Sequence, residues 1–427
     1  MRTTKVRAGA VLICFTLGVS ACGGGGGGST TTQAANGKTS GTITLWARDT
    51  EKAFINVLAD AYNKNHGAKV KVTIVPSGNF VQKFGTASSS GSGPDVASID
   101  LVYLPYFASK GVLEDITTVA NSLPYKDSLS QAHRKLAKYN GKTYALPFTA
   151  EASVMFYNKD LFKQAGLNPN KPPTTYAEML TAARAIHKLG PDTYGFTFAG
   201  SCGGCNIFEF APHVWASGGD VLSADGKKAM LNSPQVTDAL NFYHQMVSEG
   251  LVPPSAKTDS GVAQPAAFQS GKVGMVNLGA FFVGTLLGDK KVNFGAAPIP
   301  GATGGTASFA GGDEIAVTKG SQNKVAATEF VKWATSEEAQ TILAKAAIVP
   351  VRTDLLDKIY VPLDPRYKVL GDALTKGRTP YSVVENAVFN DNNGPWAKMI
   401  NQGVFGGNAQ AAQAQAQQAA QQVLDRG

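Results

Sequence analysis

The sequence predicts an α/β protein built in two lobes. Strand and helix patterns alternate from residue 42 onward, and the alternation starts again after residue 158. The body beyond the N-terminal leader runs to about 390 residues, more than one usual core holds.

"TITLW" (42–46) reads as a strand, and Asp49-Thr50 then open a helix whose Phe54, Val57, Leu58, Ala61 and Tyr62 repeat at the spacing of one buried face. "KVKVTIV" (69–75) alternates Val70, Val72 and Ile74 with polar residues, as a strand does, and "PDVASID" (94–100) is a third strand. The order β-α-β-α-β implies a sheet with helices on its faces. After "YALPFTAEASVMFYN", Thr175-x-x-Glu178 forms a capping box for a helix buried through Met179, Leu180, Ala183 and Ile186, ending at Gly190. "TYGFTF" (193–198) follows as a strand. Ser233-Pro234 start a helix with Val236, Leu240, Tyr243 and Val247 inward and Gly250 at its end. "KVGMVN", "VNFGAAPIP" and "DEIAVTKG" supply later strands. Two helices join near Thr335-x-x-Glu338, and helices dominate after about 364. The Ala/Gln-rich end, 408–424, keeps Ala412, Ala416, Ala419, Val423 and Leu424 at helical spacing, so it reads as a last docked helix, with a disordered tail as the alternative.

The first residues carry Arg2, Lys5 and Arg7 without an acid, and Ala8 to Ala21 is nearly all apolar or small. This is a signal peptide, residues 1–21, too short to cross a bilayer comfortably, since a spanning helix needs roughly 20 apolar residues. "VSAC" (19–22) resembles the bacterial lipobox, in which small residues precede a cysteine that is lipidated and becomes the new N-terminus. Cys22 is then a membrane tether, because acyl chains contribute about 0.8 kcal/mol per buried CH₂; the alternative is an ordinary signal peptide with an incidental thiol at Cys22. Residues 23–40 hold no large apolar side chain and read as a flexible leash spanning roughly 20 to 25 Å. The six glycines follow no strand and precede no Lys-Ser/Thr, so they are no phosphate loop.

Removing the signal peptide lowers the formal charge from +8 to +5, through loss of Arg2, Lys5 and Arg7. The remaining charge is scattered, and no block of Lys/Arg points to nucleic acid. Beyond the leader there is no apolar run of 18 residues or more. The CxxC of "SCGGCN" reads as a short structural disulfide between Cys202 and Cys205, with redox chemistry or free thiols as alternatives. No second CxxC or paired histidines complete a zinc set, so no metal or other cofactor is expected.

Several stretches in order resemble the extracellular solute-binding proteins of bacterial sugar ABC importers, the family of maltose-binding protein. The strongest is "YALPFTAEASVMFYNKDLFKQAGLNPNKPPTTYAEMLTAARAI"; "PAAFQSGKVGM", "FAGGDEIAVTKGSQNKVAATEFVKWATSEEAQ", "IVPVRTDL" and "GRTPYSVVENA" support it. The resemblance implies the two-lobe, type II periplasmic-binding-protein fold, with hinge crossings and a ligand cleft between the lobes. Mapped here, the crossings fall near 148–153, 295–302 and 348–352. Lobe 1 is then 41–149 with 303–349, and lobe 2 is 150–302 with 350–427. The implied partners are a saccharide and the transmembrane subunits of an ABC permease. The implied setting is the outer face of the cell membrane, where a monomer is held by its lipid.

A sugar has apolar C–H faces and a rim of hydroxyls, so its site needs aromatic platforms with donors and acceptors at the edges. Where the resemblance places the cleft, the candidates are Trp46, Arg48, Asp49, Asp100, Glu151, Trp215, Phe281 or Phe282, Asp313, Glu314 and Arg378. Each has an ordinary alternative. Trp46, Trp215 and one of the two phenylalanines suit a core; Asp49 suits a helix cap. Asp100, Glu151 and Glu314 suit solvated loops, and Arg48 and Arg378 suit surface ion pairs. No residue is assigned a catalytic role. A pair of acids on one sugar also suits a glycosidase, and the arginines leave a glycerol-phosphate-type ligand open.

Overall fold

The computed structural model describes residues 40–427. The signal peptide, Cys22 and most of the leash lie outside the described residues. Eight strands form the main sheet: β1 (Gly41–Arg48), β2 (Ala68–Val75), β3 (Val96–Asp100), β4 (Leu146–Asn158), β5 (Tyr194–Thr197), β6 (Val273–Gly279), β7 (Phe294–Ala297) and β8 (Ala310–Val317). Their order is β2-β1-β3-β8-β4-β6-β5, with β7 also paired to β4. β1 runs parallel to β2 and β3, whereas β8 runs antiparallel to β3 and β4.

β4 joins the halves of the molecule. Its first part, Leu146 to Ala152, pairs with β8; its second, Ser153 to Tyr157, pairs with β6, and Met155 to Asn158 also pair with β7. Twelve of its thirteen residues are buried, which explains the nearly unbroken apolar reading of "LPFTAEASVMFYN".

Helix α1 (Lys52–Asn65) buries Phe54, Ile55, Leu58, Ala59 and Tyr62. Its inward face is rotated from the expected one: Val57 is 56% exposed and Ala61 only half-buried, with Ile55 and Ala59 turned inward in their place. Both stripes satisfy a helical period, and contact with the sheet selects between them. Helix α2 (Ser77–Ser89) follows β2, and α3 (Tyr176–His187) begins at Thr175, whose hydroxyl accepts from the Glu178 N–H at 3.2 Å. The Glu178 carboxylate accepts from Thr174 instead of closing the expected box on Thr175.

α4 (Gly203–Glu209) and α5 (Ala211–Ala216) lead toward α6 (Pro234–Ser248). A Cys202–Cys205 disulfide stands at the start of α4. The C-terminal α7 (Pro395–Gly406) and α8 (Ala409–Leu424) pack on α6, and α8 buries Ala409, Ala412, Gln413, Ala416, Ala420 and Leu424. Ala420 takes the inward place expected of Ala419. The glutamines of this low-complexity segment have a specific role. Gln413, Gln417 and Gln421, four apart on one face, bond the backbone of residues 227–233. Gln417 accepts from Leu231 N–H and donates to Ala229 O, both at 2.7 Å; Gln421 accepts from Ala229 N–H at 3.0 Å. A helix side thereby serves the backbone groups that a neighbouring strand would otherwise satisfy.

Candidate functional site

Because β3 lies between β1 and β8, three charged residues meet at one end of the sheet. Arg48 ends β1, Asp100 ends β3, and Asp313 of antiparallel β8 sits opposite Asp100 in register. The carboxyl ends of parallel strands are where open α/β sheets hold ligands. Arg48 Nη1 donates to Asp100 at 3.0 Å and Nη2 donates to Asp313, while Nε lies 3.6 Å from Glu51. Asp313 accepts from the Thr149 hydroxyl at 3.0 Å. The Arg48 guanidinium is charged throughout: burial opposes its charge, and Asp313, Asp100 and Glu51 together outweigh burial.

These residues floor a cleft of about 440 Å³, which Glu51, Thr149, Glu151, Phe208 and Phe281 also line. Phe281 is 52% exposed, and its N–H donates to Glu151 at 2.9 Å. Its ring lies over Gly279, where an added Cβ would stand 2.6 Å from the ring. The Phe208 ring lies likewise over Gly311, at 2.6 Å from the corresponding Cβ position. Gly312 has φ +117°, and a Cβ there would fall 2.1 Å from Thr149 O. "FAGGDE" therefore encodes a seat for an aromatic ring, a bend in β8, and then the carboxylate that meets Arg48.

Burial pushes Glu151 up to about 8; the Phe281 N–H favours its charged form and Asp313 opposes it. Glu51 is raised chiefly by burial, then by Asp313, against the pull of Arg48. Asp100 is raised by burial, with Arg48 acting the other way. Behind Thr149, His133 is fully buried and pushed down to about 4, again by burial first. Its Nε2 lies 3.0 Å from the Thr149 carbonyl and Nδ1 lies 2.8 Å from the Ser130 hydroxyl. Since a carbonyl only accepts, the proton is on Nε2.

The other sequence candidates lie outside this cleft lining. Trp46 is half-buried against a small core, with the Lys83 ammonium 5.0 Å from its ring. Asp49 is exposed and accepts from the Ser77 backbone and hydroxyl at the start of α2, a capping role. Phe282 packs edge-on against Phe156 and Phe268 in the core. Glu314 is fully buried, its two carboxyl oxygens have no hydrogen-bond partner, and burial raises it far above the carboxyl range. Trp215 is 4% exposed and its Nε1 donates to Asp220 at 2.9 Å. Arg378 covers that indole, its Cζ 5.2 Å from the ring centroid and its Nη1 3.4 Å from Asp220. Trp215 stacks on Phe309, which contacts Phe208, so it supports a cleft aromatic from behind. Sequence reasoning missed Glu51 and Phe208. Arg48-x-x-Glu51 was a readable i,i+3 pair, whereas nothing local marks Phe208.

Residues 47–341 match the bacterial extracellular solute-binding proteins, and the chain belongs to that family. Diacetylchitobiose binding protein DasA of Streptomyces coelicolor is 29% identical over 345 residues, covering 78% of this chain and 79% of that protein. A maltooligosaccharide ABC transporter solute-binding lipoprotein of Streptococcus pneumoniae is 25% identical, covering 73% of this chain and 72% of that one. The GacH receptor of Streptomyces glaucescens, solved unliganded and with acarbose, superposes with a TM-score of 0.79 at 28% identity, over 91% of this chain and 99% of that one. The fold is accordingly the two-lobed type II periplasmic-binding-protein fold. Among the described residues no helix is long and apolar enough to cross a membrane.

Proposed function

We propose that the cleft captures a saccharide outside the cell and delivers it, chemically unchanged, to an ABC permease. The observation that carries this is the pairing, in one cleft, of two aromatic faces seated on glycines, Phe208 and Phe281, with the Arg48–Asp100–Asp313 cluster and Glu151. Aromatic rings stack on sugar C–H faces, and the carboxyl groups bond the hydroxyl rim. The names of DasA, the pneumococcal lipoprotein and the acarbose complex of GacH support a saccharide as the class of ligand.

Closure is a hinge motion of two lobes, 41–149 with 303–349 and 150–302 with 350–427. Backbone pairing supports crossings near 148–153 and 348–352, where Ala150 N–H bonds Val349 O at 3.1 Å. The remaining crossing is proposed near 295–302. Ile299–Pro300 and Thr306–Ala307 form a ribbon packed on α5, and at Phe309 the chain returns to Ser153. Cys22 would carry the lipid that keeps the monomer beside its permease.

The purified protein is expected to gain thermal stability with one or a few saccharides from a broad panel, because a ligand bound only by the folded form stabilises it. No shift with any sugar would contradict the proposal, and release of new reducing ends from an oligosaccharide would favour a glycosidase. Cys22→Ala is expected to move the protein from the membrane to the soluble fraction.

A further inference from the structure

The cleft holds more carboxyl groups than basic groups. Glu51, Asp100, Glu151 and Asp313 supply four carboxyl groups, and Arg48 is the one basic side chain among the lining residues. Both Arg48 Nη groups are already held, by Asp100 and Asp313. Glu51 is 2% exposed, and its Oε2 has no hydrogen-bond partner of good geometry, although the Ser98 hydroxyl is close enough to favour its charge. Glu151 accepts one hydrogen bond, from the Phe281 N–H. An unsatisfied buried carboxyl group lining a ligand cleft calls for a donor from the ligand.

A neutral hydroxyl offers one hydrogen and no charge. A protonated amine offers up to three hydrogens, accepts nothing, and carries a positive charge against which the buried carboxyl groups can ionise. The faces of Phe208 and Phe281 also attract a cation through the ring quadrupole. A phosphate or carboxylate ligand would meet the opposite field. Among the described residues no group of His, Cys, Asp and Glu is arranged to hold a metal ion, which favours an organic cation.

We propose that the preferred ligand is a saccharide carrying a protonated amine, an amino sugar or an amine-linked oligosaccharide, whose ammonium is compensated by Glu51 and Glu151. This rests on the saccharide reading above and narrows it. Burial holds both groups above the usual carboxyl range in the free cleft, with Arg48, Asp100 and Asp313 facing them and Tyr360 near Glu151. An arriving ammonium would therefore displace protons as it binds.

Calorimetric titration of the purified protein with matched pairs tests this: glucose and glucosamine, galactose and galactosamine, cellobiose and the β-1,4-linked glucosamine disaccharide with its N-acetylated form. At least one free amine should bind about tenfold or more tighter than its neutral partner, equivalent to roughly 1.4 kcal/mol. N-acetylation should abolish that advantage, and Glu151→Gln should reduce it at least severalfold without equal loss for the neutral sugar. Equal or tighter binding of the neutral or acetylated members would overturn the inference and leave saccharide capture standing. Binding by no member would overturn the inference, and the broad saccharide panel above then decides the capture reading separately. If Glu151→Gln does not fold, the comparison of ligands on the unaltered protein decides the matter alone.

Discussion

At the cleft floor, the Arg48 guanidinium keeps Asp100 and Asp313 together at the ends of three strands. Breaking a buried ion pair on one side strands the remaining charge, at a typical cost of 3–5 kcal/mol. Arg48→Ala is therefore expected to lower unfolding free energy by about that amount in urea titrations and to abolish ligand binding. A loss below about 1 kcal/mol would mean that the carboxyl groups reach solvent without it. Stability should also depend on pH in two opposed ways. Glu151, raised from its ordinary 4.5 to about 8, contributes stability that is full below about 4.5 and is lost as pH rises through about 8. His133, depressed from 6.5 to about 4, contributes stability that is full above about 6.5 and is lost as pH falls through about 4. The melting temperature of the free protein should accordingly peak between these limits. Glu151→Gln should flatten part of the alkaline decline, by about 2 to 5 °C, in differential scanning calorimetry; an unchanged alkaline limb would contradict the buried-acid reading. Arg48 and Asp100 were legible because they end β1 and β3, whereas Glu151 and Asp313 stand inside β4 and β8, where a charged residue in a buried strand is the signal. Trp46 in β1 is half-buried and Trp215 in α5 is covered, and only tertiary packing distinguishes a covered tryptophan from an open one. Trp215→Ala is now expected to destabilise the protein by roughly 3–5 kcal/mol, as a core deletion does.

Among the elements, β8 and α8 give the sequence reading its hardest tests. The "GG" of β8 belongs to a stretch that resembles the family, but its physical content is local: Gly311 seats Phe208, and Gly312 takes a left-handed φ against Thr149. Gly312→Ala adds a methyl group in a strained backbone region, where something must shift. It should lower both stability and affinity, whereas Gly288→Ala, an exposed helix position with open space for a Cβ, should leave affinity unchanged and raise stability by about 0.5–1 kcal/mol. The terminal α8 was readable as a helix from alanine spacing. Its docking partner was not, because glutamine side chains bonding a distant backbone leave no hydrophobic period. Gln417→Ala leaves Leu231 N–H and Ala229 O without their bonds and should cost about 1–3 kcal/mol. A wild-type urea midpoint for that variant would make the ladder ornamental. The face of α1 was misread for a related reason: two overlapping stripes have the same period, and the sheet beneath chooses one.

Across the whole molecule, the alternation of strands and helices and the long buried "LPFTAEASVMFYN" segment foretold the architecture. The way β4 passes from pairing with β8 to pairing with β6 could not be read locally, since it depends on registers between segments more than 100 residues apart. That continuity places a stiff strand through the first proposed crossing. Ligand binding should reduce the radius of gyration in small-angle scattering if the halves close about it. The most direct test of the central claim is a crystal structure with the tightest-binding saccharide. The ligand is expected between Phe208 and Phe281, over Arg48 and within hydrogen-bond reach of Glu151, with its covalent structure intact. A sugar seated elsewhere on the protein, or one found cleaved in the cleft, would contradict the account.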